Sequence, residues 1–415
     1  MIQNTFEPGR TNLTLIKALT YLMFMMFAMT TDSVGIIIPE IIKTFGLSMT
    51  AAGTFQFATM GGIALAGFFL GSLADRWGRK PTIVIGLTAL AIAYLLFAVG
   101  NSFAYFSVLL GISGVAIGVF KTGALALIGD ITTSTTQHTS IMNMAEAFFG
   151  IGSIIGPAVL TRLLITGVSW KWLYVLAGGI CVLLILMAWK VRYPQTMHAG
   201  ENAPGLGRTL LMLRNPFALA FSLGAFLYVA AEAAIYVWMP TLLQGYRGPA
   251  LWLATYSISV FFVLRVAGRF AGAWMLTRFD WTGVLAVFSG AILVCFLGTA
   301  FGGAEVAVYL LPLSGLFMSV IYPTINSKGI SCFPKSEHGA VAGVILFFTC
   351  VSAVVGPLAM GAVSDTMGEP KYGFVLAAGF AALLFLGLLF NWILNPTRVL
   401  LGQLDHTEYD PAATV

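Results

Sequence analysis

The chain has 415 residues, of which 59% are hydrophobic and only 9% are charged. Soluble domains carry roughly a quarter charged residues, so the composition excludes a soluble globular protein and predicts a polytopic membrane protein. Loop cations facing anionic lipid headgroups account for the net charge of +5, and no nucleic-acid partner is needed. No nucleophile–base pair, metal cluster or phosphate loop is visible, so we expect neither an enzyme nor a cofactor or metal site.

Apolar segments long enough to cross a bilayer recur along the whole chain. A spanning helix needs about 20 apolar residues, which predicts twelve spans near residues 15–42, 51–73, 81–100, 104–128, 140–166, 171–190, 215–242, 251–276, 283–302, 305–330, 338–363 and 372–394. The first apolar stretch is too long for a signal peptide, so residues 1–17 are predicted to be a cytoplasmic tail. The longest polar interruption, 191–214, predicts a cytoplasmic linker between two six-helix halves, 1–190 and 215–415.

Cysteine and histidine positions predict no further chemistry. The four cysteines lie in or beside apolar segments without paired spacing, which supports neither disulfides nor a metal site. The four histidines fall in polar stretches, so we do not expect a histidine relay within the membrane: His138, His198, His338 and His406.

A charged cluster joins the second and third predicted spans. The sequence GSLADRWGRK, residues 71–80, contains Asp75, Arg76, Arg79 and Lys80. Such a cluster predicts a tight turn at a membrane face, and its excess of cations predicts the cytoplasmic face. Over all predicted loops, twelve cations fall on this side and five on the other. We therefore predict that both termini are cytoplasmic.

This stretch resembles the signature loop between helices 2 and 3 of the major facilitator superfamily of transporters, whose pattern is G-x-L-A-D-R-x-G-R-K. The resemblance implies an all-α fold of twelve helices in two pseudo-symmetric halves, alternating access and a monomer in the inner (plasma) membrane. It also implies that Asp75, Arg76 and Arg79 act in gating. Asp75 is expected to contact the start of span 11, where a helix N-terminus favours a carboxylate.

The two halves repeat at a spacing of about two hundred residues. Internally repeated halves around a central site are typical of secondary transporters. Four features recur in register: Pro39 with Pro240, Gly71 with Gly272, Ser113-Gly114 with Ser314-Gly315, and Gly156-Pro157 with Gly356-Pro357.

Ionisable residues inside the predicted spans are few. Each costs at least about 2.5–3.5 kcal/mol to insert, so each is a hypothesis for a functional site. They are Asp32, Lys121, Glu146, Glu232, Arg265, Arg269 and Lys328.

Two of these acids occupy matching places in the repeat. Asp32 lies seven residues before Pro39 in span 1, and Glu232 lies eight residues before Pro240 in span 7. The two are predicted to face each other across a central cavity, where low polarity favours the protonated carboxyl and allows it to load and release a proton. The alternative is that either acid only hydrogen-bonds a neighbouring backbone.

Lys121 and Glu146 lie at equal depth on either side of the turn between spans 4 and 5. We therefore expect an ion pair, which is either a fixed structural clamp or a proton-coupling and substrate-binding element. Asn143 lies one turn before Glu146 and shares its face, which predicts a polar stripe on span 5, and Asn143 is predicted to bind substrate.

Several other residues are predicted to bind substrate. Arg265 lies mid-span and its five donors suit an anionic or hydroxyl-rich solute, whereas Arg269 serves to tie loops and Lys328 lies near a membrane face and can snorkel. Aromatic and amide side chains complete the predicted cavity, although each can equally be packing: Gln56, Tyr228, Tyr236, Trp238, Tyr322 and Asn326.

Stretches in both halves resemble the fucose/glucose proton-symporter branch, among them AEAFFGIGSIIGPAV (145–159) and FLYVAAEAAIYVWMP (226–240). The branch implies proton-driven sugar uptake with Asp32 as the coupling acid. This sequence departs from it in carrying Lys121 where the branch has a span-4 acid. FKTGALALIGDITTS resembles lysophospholipid carriers, which keep a lysine there, and the span-4 arginine motif of drug exporters is absent.

We therefore expect a secondary transporter, with proton-coupled symport of a small polar solute, sugar-like or an organic anion. The alternatives are an exporter or lysolipid flippase of the same superfamily, and a receptor that does not transport.

Overall fold

The computed structural model describes residues 13–47, 49–194, 206–243, 246–369 and 371–409, and the secondary structure of these residues is entirely helical. The α-helices are α1 (Leu13–Thr31), α2 (Val34–Phe45), α3 (Met49–Leu70), α4 (Leu73–Arg76), α5 (Arg79–Leu95), α6 (Phe103–Asp130), α7 (Thr135–Ile165), α8 (Lys171–Lys190), α9 (Leu206–Met212), α10 (Pro216–Ala233), α11 (Met239–Leu242), α12 (Leu251–Thr255), α13 (Ser257–Met275), α14 (Trp281–Met318), α15 (Ile321–Ser331), α16 (His338–Met367), α17 (Lys371–Leu394) and α18 (Arg398–Leu404).

The helices provide the twelve predicted membrane crossings. Ten stretches of the described residues are long and apolar enough to span a bilayer. One of them, Trp281–Ser331, has 51 residues and contains two crossings, because Gly303 has φ 61° and turns the chain inside α14. Helix α3, with 22 residues, adds another crossing. The all-α, twelve-helix fold is confirmed. The boundaries of the halves stay a prediction, and residues 195–205 of the predicted linker lie outside the described residues.

Local capping explains where several spans begin. A side-chain oxygen that accepts a backbone N–H at a helix N-terminus satisfies a donor that has no partner within the helix. Ser102 caps α6, Ser134 caps α7 and Asp280 caps α14 in this way. Asn215 caps α10 and precedes Pro216, whose missing N–H costs nothing at the first helical position.

The repeated glycines mark equivalent packing contacts in the two halves. In each half the fifth span packs on the first and the fourth on the second, and the backbones approach so closely that a Cβ on the glycine would clash. An added Cβ would lie 2.1 Å from Met29 O at Gly156, 3.0 Å from Ala230 Cα at Gly356, 2.3 Å from Thr59 O at Gly114 and 2.4 Å from Phe261 O at Gly315.

Spans 1 and 7 are both interrupted beside their acidic residue. Span 1 breaks between α1 and α2 at Asp32 and Ser33, and the Ser33 hydroxyl donates to the Met29 carbonyl at 2.6 Å. Span 7 changes to a π-helical turn, Ala234–Trp238, directly after α10 ends. Glu232 is the penultimate residue of α10. Breaks of this kind in spanning helices free backbone groups and are typical of functional sites.

Gly156→Ala is expected to lower the thermal stability of the purified protein, because its Cβ would press on the α1 backbone. Overpacking of this kind costs about 1–3 kcal/mol. The measurement is the unfolding temperature in detergent. The control is Gly179→Ala in α8, where no atom lies within 4 Å of the added Cβ. Equal unfolding temperatures for the two variants would contradict the predicted close contact.

Candidate functional site

Asp32 is exposed to solvent although it lies in the middle of span 1. Its carboxylate accepts a short hydrogen bond from the Ser153 hydroxyl of α7 and a bond of 3.2 Å from Thr31. The charges of Arg265 and Glu232, from the second half, both act on it. Asp32 is therefore exposed and also close enough to the second half to interact with its charges.

Glu232 and Arg265 form a buried ion pair in the second half. Arg265 Nη2 lies 2.6 Å from Glu232 Oε1, and the two side chains are 10% and 8% exposed. The Tyr228 hydroxyl lies 2.8 Å from Glu232 Oε1 and 3.0 Å from the Met318 carbonyl, so it donates to one of them at a time. Glu232 therefore has both Arg265 and the Tyr228 hydroxyl as partners.

Aromatic side chains surround this ion pair. The Tyr322 ring stacks on Tyr228 with centroids 6.0 Å apart. Tyr236 is partly exposed on the π-helical turn, where the charges of Glu232, Asp32 and Arg265 all act on it. The structure thus brings together the two predicted acids, one arginine and three tyrosines, while their roles in proton coupling and substrate binding stay predictions.

The expected Lys121–Glu146 ion pair is wrong. Lys121 Nζ instead lies over three phenyl rings, at 5.7 Å from the centroid of Phe24, 4.9 Å from Phe27 and 5.8 Å from Phe149. Equal depth does not ensure contact, because α1 packs on α7 and Lys121 is directed into the resulting ring cluster.

Glu146 instead joins the two halves. Its carboxylate lies 3.5 Å from Arg269 Nη2, and Arg269 Nη1 donates to the Glu146 carbonyl at 2.6 Å. Both side chains are nearly fully buried. Arg269 is therefore a link between helix α7 of the first half and α13 of the second, where the sequence suggested only a tie between loops.

Asn143 lies on the same seam. Its amide nitrogen donates to the Thr139 carbonyl at 2.9 Å and lies 3.4 Å from the Thr324 hydroxyl of the second half, and its Oδ1 has no partner among the described residues. The predicted polar stripe on α7 thus faces the other half.

We call the end of the bundle that carries residues 71–80 the basic-loop end. Here buried Asp75 accepts hydrogen bonds from the backbone N–H groups of Gly339 and Ala340, both at 3.0 Å, at the N-terminus of α16. The expected contact with span 11 is present. Arg79 binds Asp75 and donates to Asp130 at 2.8 Å and to the Lys335 carbonyl at 2.6 Å.

The pKa of Asp75 reflects the opposing effects of its burial and of its hydrogen-bond partners. Burial raises the pKa to about 6, against the lowering effect of Arg79 and of the two backbone N–H donors. The carboxyl is therefore mostly ionised at neutral pH, as its role as an acceptor requires. Arg76, the neighbouring predicted gating residue, is exposed.

Polar contacts close the basic-loop end. In the part of the chain that the structure describes, the hydrogen bonds and ion pairs that join the halves all lie between the depth of Glu146 and this end. Besides those already given, they pair His138 with Ser327 (2.6 Å), Thr139 with Ser327 (2.9 Å), Ser140 with the Ala273 carbonyl (3.1 Å), Lys328 with Thr135 (3.2 Å), Lys335 with the Thr132 carbonyl (3.4 Å), and the backbone N–H and hydroxyl of Thr135 with Asp405 (2.8 and 3.1 Å).

Two histidines belong to this seam although the sequence suggested otherwise. His138 begins span 5 and His338 begins span 11, both are fully buried, and their rings lie 6.1 Å apart. The two histidines are two hundred residues apart, which is the period of the internal repeat. This spacing is the sequence feature that could have predicted their proximity. Lys328 is also buried, over the Trp281 ring at 5.7 Å, so the expected snorkelling to a membrane face is wrong.

Three further residues are predicted to bind substrate: Trp238, Asn326 and Gln56. Trp238 Nε1 donates to the Pro357 carbonyl at 3.2 Å, which is a packing contact between spans 7 and 11. Asn326 is buried beside the basic-loop seam, with no described partner for its Oδ1. The Gln56 side chain lies outside the described residues. Among the described residues, no group of three or more His, Cys, Asp or Glu side chains could hold a metal ion.

Comparisons with known proteins place this geometry in a family. The family model described as Major Facilitator Superfamily matches residues 20–357. The chain is similar to Protein TsgA of Shigella dysenteriae, with 27% identity over 384 residues that cover 90% of this chain and 94% of that protein.

Two solved structures share the fold. The Escherichia coli fucose:proton symporter FucP superposes with a TM-score of 0.76 at 22% identity, covering 92% of this chain and 99% of FucP. The proton:xylose symporter XylE gives 0.74 at 11% identity, covering 92% and 96%. Together with the family match over most of its length, these similarities establish that the chain is a multi-pass membrane transporter of the Major Facilitator Superfamily.

Proposed function

We propose that this transporter is a proton-coupled symporter that carries a small polar solute, sugar-like or an organic anion, through the inner (plasma) membrane of a bacterium. The observation that carries the proposal is that exposed Asp32 of the first half lies close enough to the Glu232–Arg265 ion pair of the second half for their charges to act on one another. A titratable group shared by two halves that move apart can couple proton binding to their movement.

Asp32 is the group best suited to carry the proton. It is exposed, and its described side-chain hydrogen-bond partners are the neutral hydroxyls of Ser153 and Thr31. A proton on Asp32 removes one of the negative charges that act on Arg265. The guanidinium is then freer to bind a solute, so proton and solute favour each other.

The closed seam at the basic-loop end supports alternating access. With both termini in the cytoplasm, as predicted, this seam separates the site from the cytoplasm and leaves Asp32 accessible from the other side. Inward opening then requires that Asp75 leave the N-terminus of α16 and that Glu146 separate from Arg269. The protein is proposed to work as a monomer in the lipid bilayer.

Asp32→Asn is expected to abolish uptake driven by a pH gradient while solute exchange at equal pH persists. One coupled proton and a gradient of one pH unit sustain about tenfold accumulation, and the variant should lose it. The measurement is solute flux in liposomes containing purified protein and a pH-sensitive dye. Asp365→Asn, which changes an exposed acid of α16, is the control and should behave as the unmodified protein.

Other outcomes distinguish the alternatives. Gradient-driven accumulation that survives in Asp32→Asn would remove Asp32 from the coupling step. Translocation of a fluorescent lysolipid or a drug, with no solute moving protons, would favour the exporter or flippase. Binding without any flux would favour a receptor.

Asp75→Asn is expected to open the basic-loop end, because the amide cannot retain the ion pair with Arg79 together with both backbone hydrogen bonds. The reporter is a cysteine at Ser327, which faces His138 across the seam, with the four native cysteines replaced by serine. Alkylation by a membrane-impermeant maleimide from the basic-loop side should speed up about tenfold, as loss of one charge-assisted hydrogen bond suggests.

Arg76→Gln is the matched control for this experiment, because Arg76 is adjacent but exposed. Its labelling rate should stay unchanged. An unchanged rate in Asp75→Asn as well would show that Asp75 does not hold the seam closed.

A further inference from the structure

Six charged side chains lie in the middle of the bundle, and four of them are paired. Glu232 lies 2.6 Å from Arg265, and Glu146 lies 3.5 Å from Arg269. These pairs cancel within themselves. The two that remain are an acid and a base from the first half: Asp32 and Lys121.

Lys121 is a buried cation without a described anionic partner. Its side chain is 8% exposed, and within the described residues no carboxylate lies within 4.0 Å of its ammonium. Three phenyl rings surround the ammonium, which stabilises a cation but does not cancel its charge. Burial of a charge without a counter-charge is unfavourable, so this position favours an anion.

The ammonium of Lys121 lies close enough to the second half for its charge to act there. Its charge acts on the thiol of Cys350, which belongs to α16 in the second half. Two of its phenyl neighbours lie close to Asp32 along the chain: Phe27 is five residues before Asp32, and Phe149 is one turn before Ser153, which donates to Asp32. The rings around the unpaired cation thus belong to α1 and α7, and Asp32, which directly follows α1, is hydrogen-bonded to Ser153 of α7.

Two buried polar atoms near the Glu232–Arg265 ion pair have no hydrogen-bond partner among the described residues. Arg265 Nε has no hydrogen-bond acceptor among the described residues, although the guanidinium is otherwise held by Glu232. Glu146 Oε1, whose charge acts on Arg265, lacks a donor in the same way. The free donor suits an anionic oxygen and the free acceptor suits a hydroxyl group.

The charges of these six side chains sum to zero while Asp32 is ionised, and to one positive charge once Asp32 carries a proton. We infer that the proton-loaded site takes one small hydroxylated monoanion, a sugar acid or hydroxy acid, with Lys121 as its counter-charge. One proton and one monoanion then cross together and no net charge moves. This inference rests on the proposed symport and specifies its substrate class and stoichiometry.

The test compares matched neutral and acidic probes in liposomes containing purified full-length protein. The pairs are glucose with glucuronate and galactose with galacturonate, and lactate is added as a small hydroxy acid. Uptake is driven either by a pH gradient or by an inside-negative potassium diffusion potential set with valinomycin. We expect the acids to be taken up with protons under the pH gradient, at initial rates that the potential leaves unchanged.

Lys121→Gln separates the charge of the side chain from its packing. The apparent affinity for the acidic probe should fall about ten- to hundredfold, as expected for loss of a charged contact. Lys121→Arg keeps the charge and is the matched control, which should stay within a fewfold of the unmodified protein. Size-exclusion profiles check that both variants fold. The effect of the membrane potential on uptake is measured with the unmodified protein, so that part of the test does not depend on the folding of a variant.

The outcomes separate this inference from the proposed function. Proton-coupled uptake of the neutral sugars that the potential accelerates would overturn the monoanion inference and leave symport intact. Acid uptake accelerated by the potential would overturn the one-to-one stoichiometry. Unaltered acid affinity in Lys121→Gln would remove Lys121 from the site. Uptake of a probe without proton movement would contradict the proposed symport itself.

Discussion

Compensation of charge in a medium of low polarity is the constraint on which this structure depends. A spanning helix that carries an unpaired acid or base is costly, and here three of these helices, α7, α10 and α13, find the opposite charge on a neighbour. Glu232 pairs with Arg265 within one half, and Glu146 pairs with Arg269 between the halves. The second pair spans the contact between the halves, so compensation of these two charges depends on that contact.

The backbone adds to this link at two places. Asp75 accepts the first N–H groups of α16, which have no partner within the helix. Beside it, Gly71 approaches so closely that an added Cβ would lie 2.9 Å from the Gly339 carbonyl. Larger residues there would hold the halves apart, and the carboxylate could not reach the helix end. The signature loop is therefore part of the contact between the halves as well as a turn.

The breaks in spans 1 and 7 lie beside the exposed acid and the buried ion pair. Irregular backbone within a membrane is tolerated where it is buried in protein or lines a cavity. Asp32 sits at the break between α1 and α2, and Glu232 lies two residues before the π-helical turn Ala234–Trp238. The internal repeat thus places a discontinuity beside each of the two acids, and the charge of Arg265 acts on both acids.

Sequence alone determined the twelve spans, the family motif and the short list of charges within the membrane, because hydropathy and the cost of burying charge act locally along the chain. Tertiary structure decided the partners. Lys121 and Glu146 lie at equal depth but on helix faces directed to different neighbours. Lys121 therefore packs on a phenylalanine cluster, and Glu146 pairs with Arg269. His138 and His338 lie in polar sequence, yet both are buried. Helix rotation and the closure of one half on the other set these pairings, and neither is encoded in spacing along a single span.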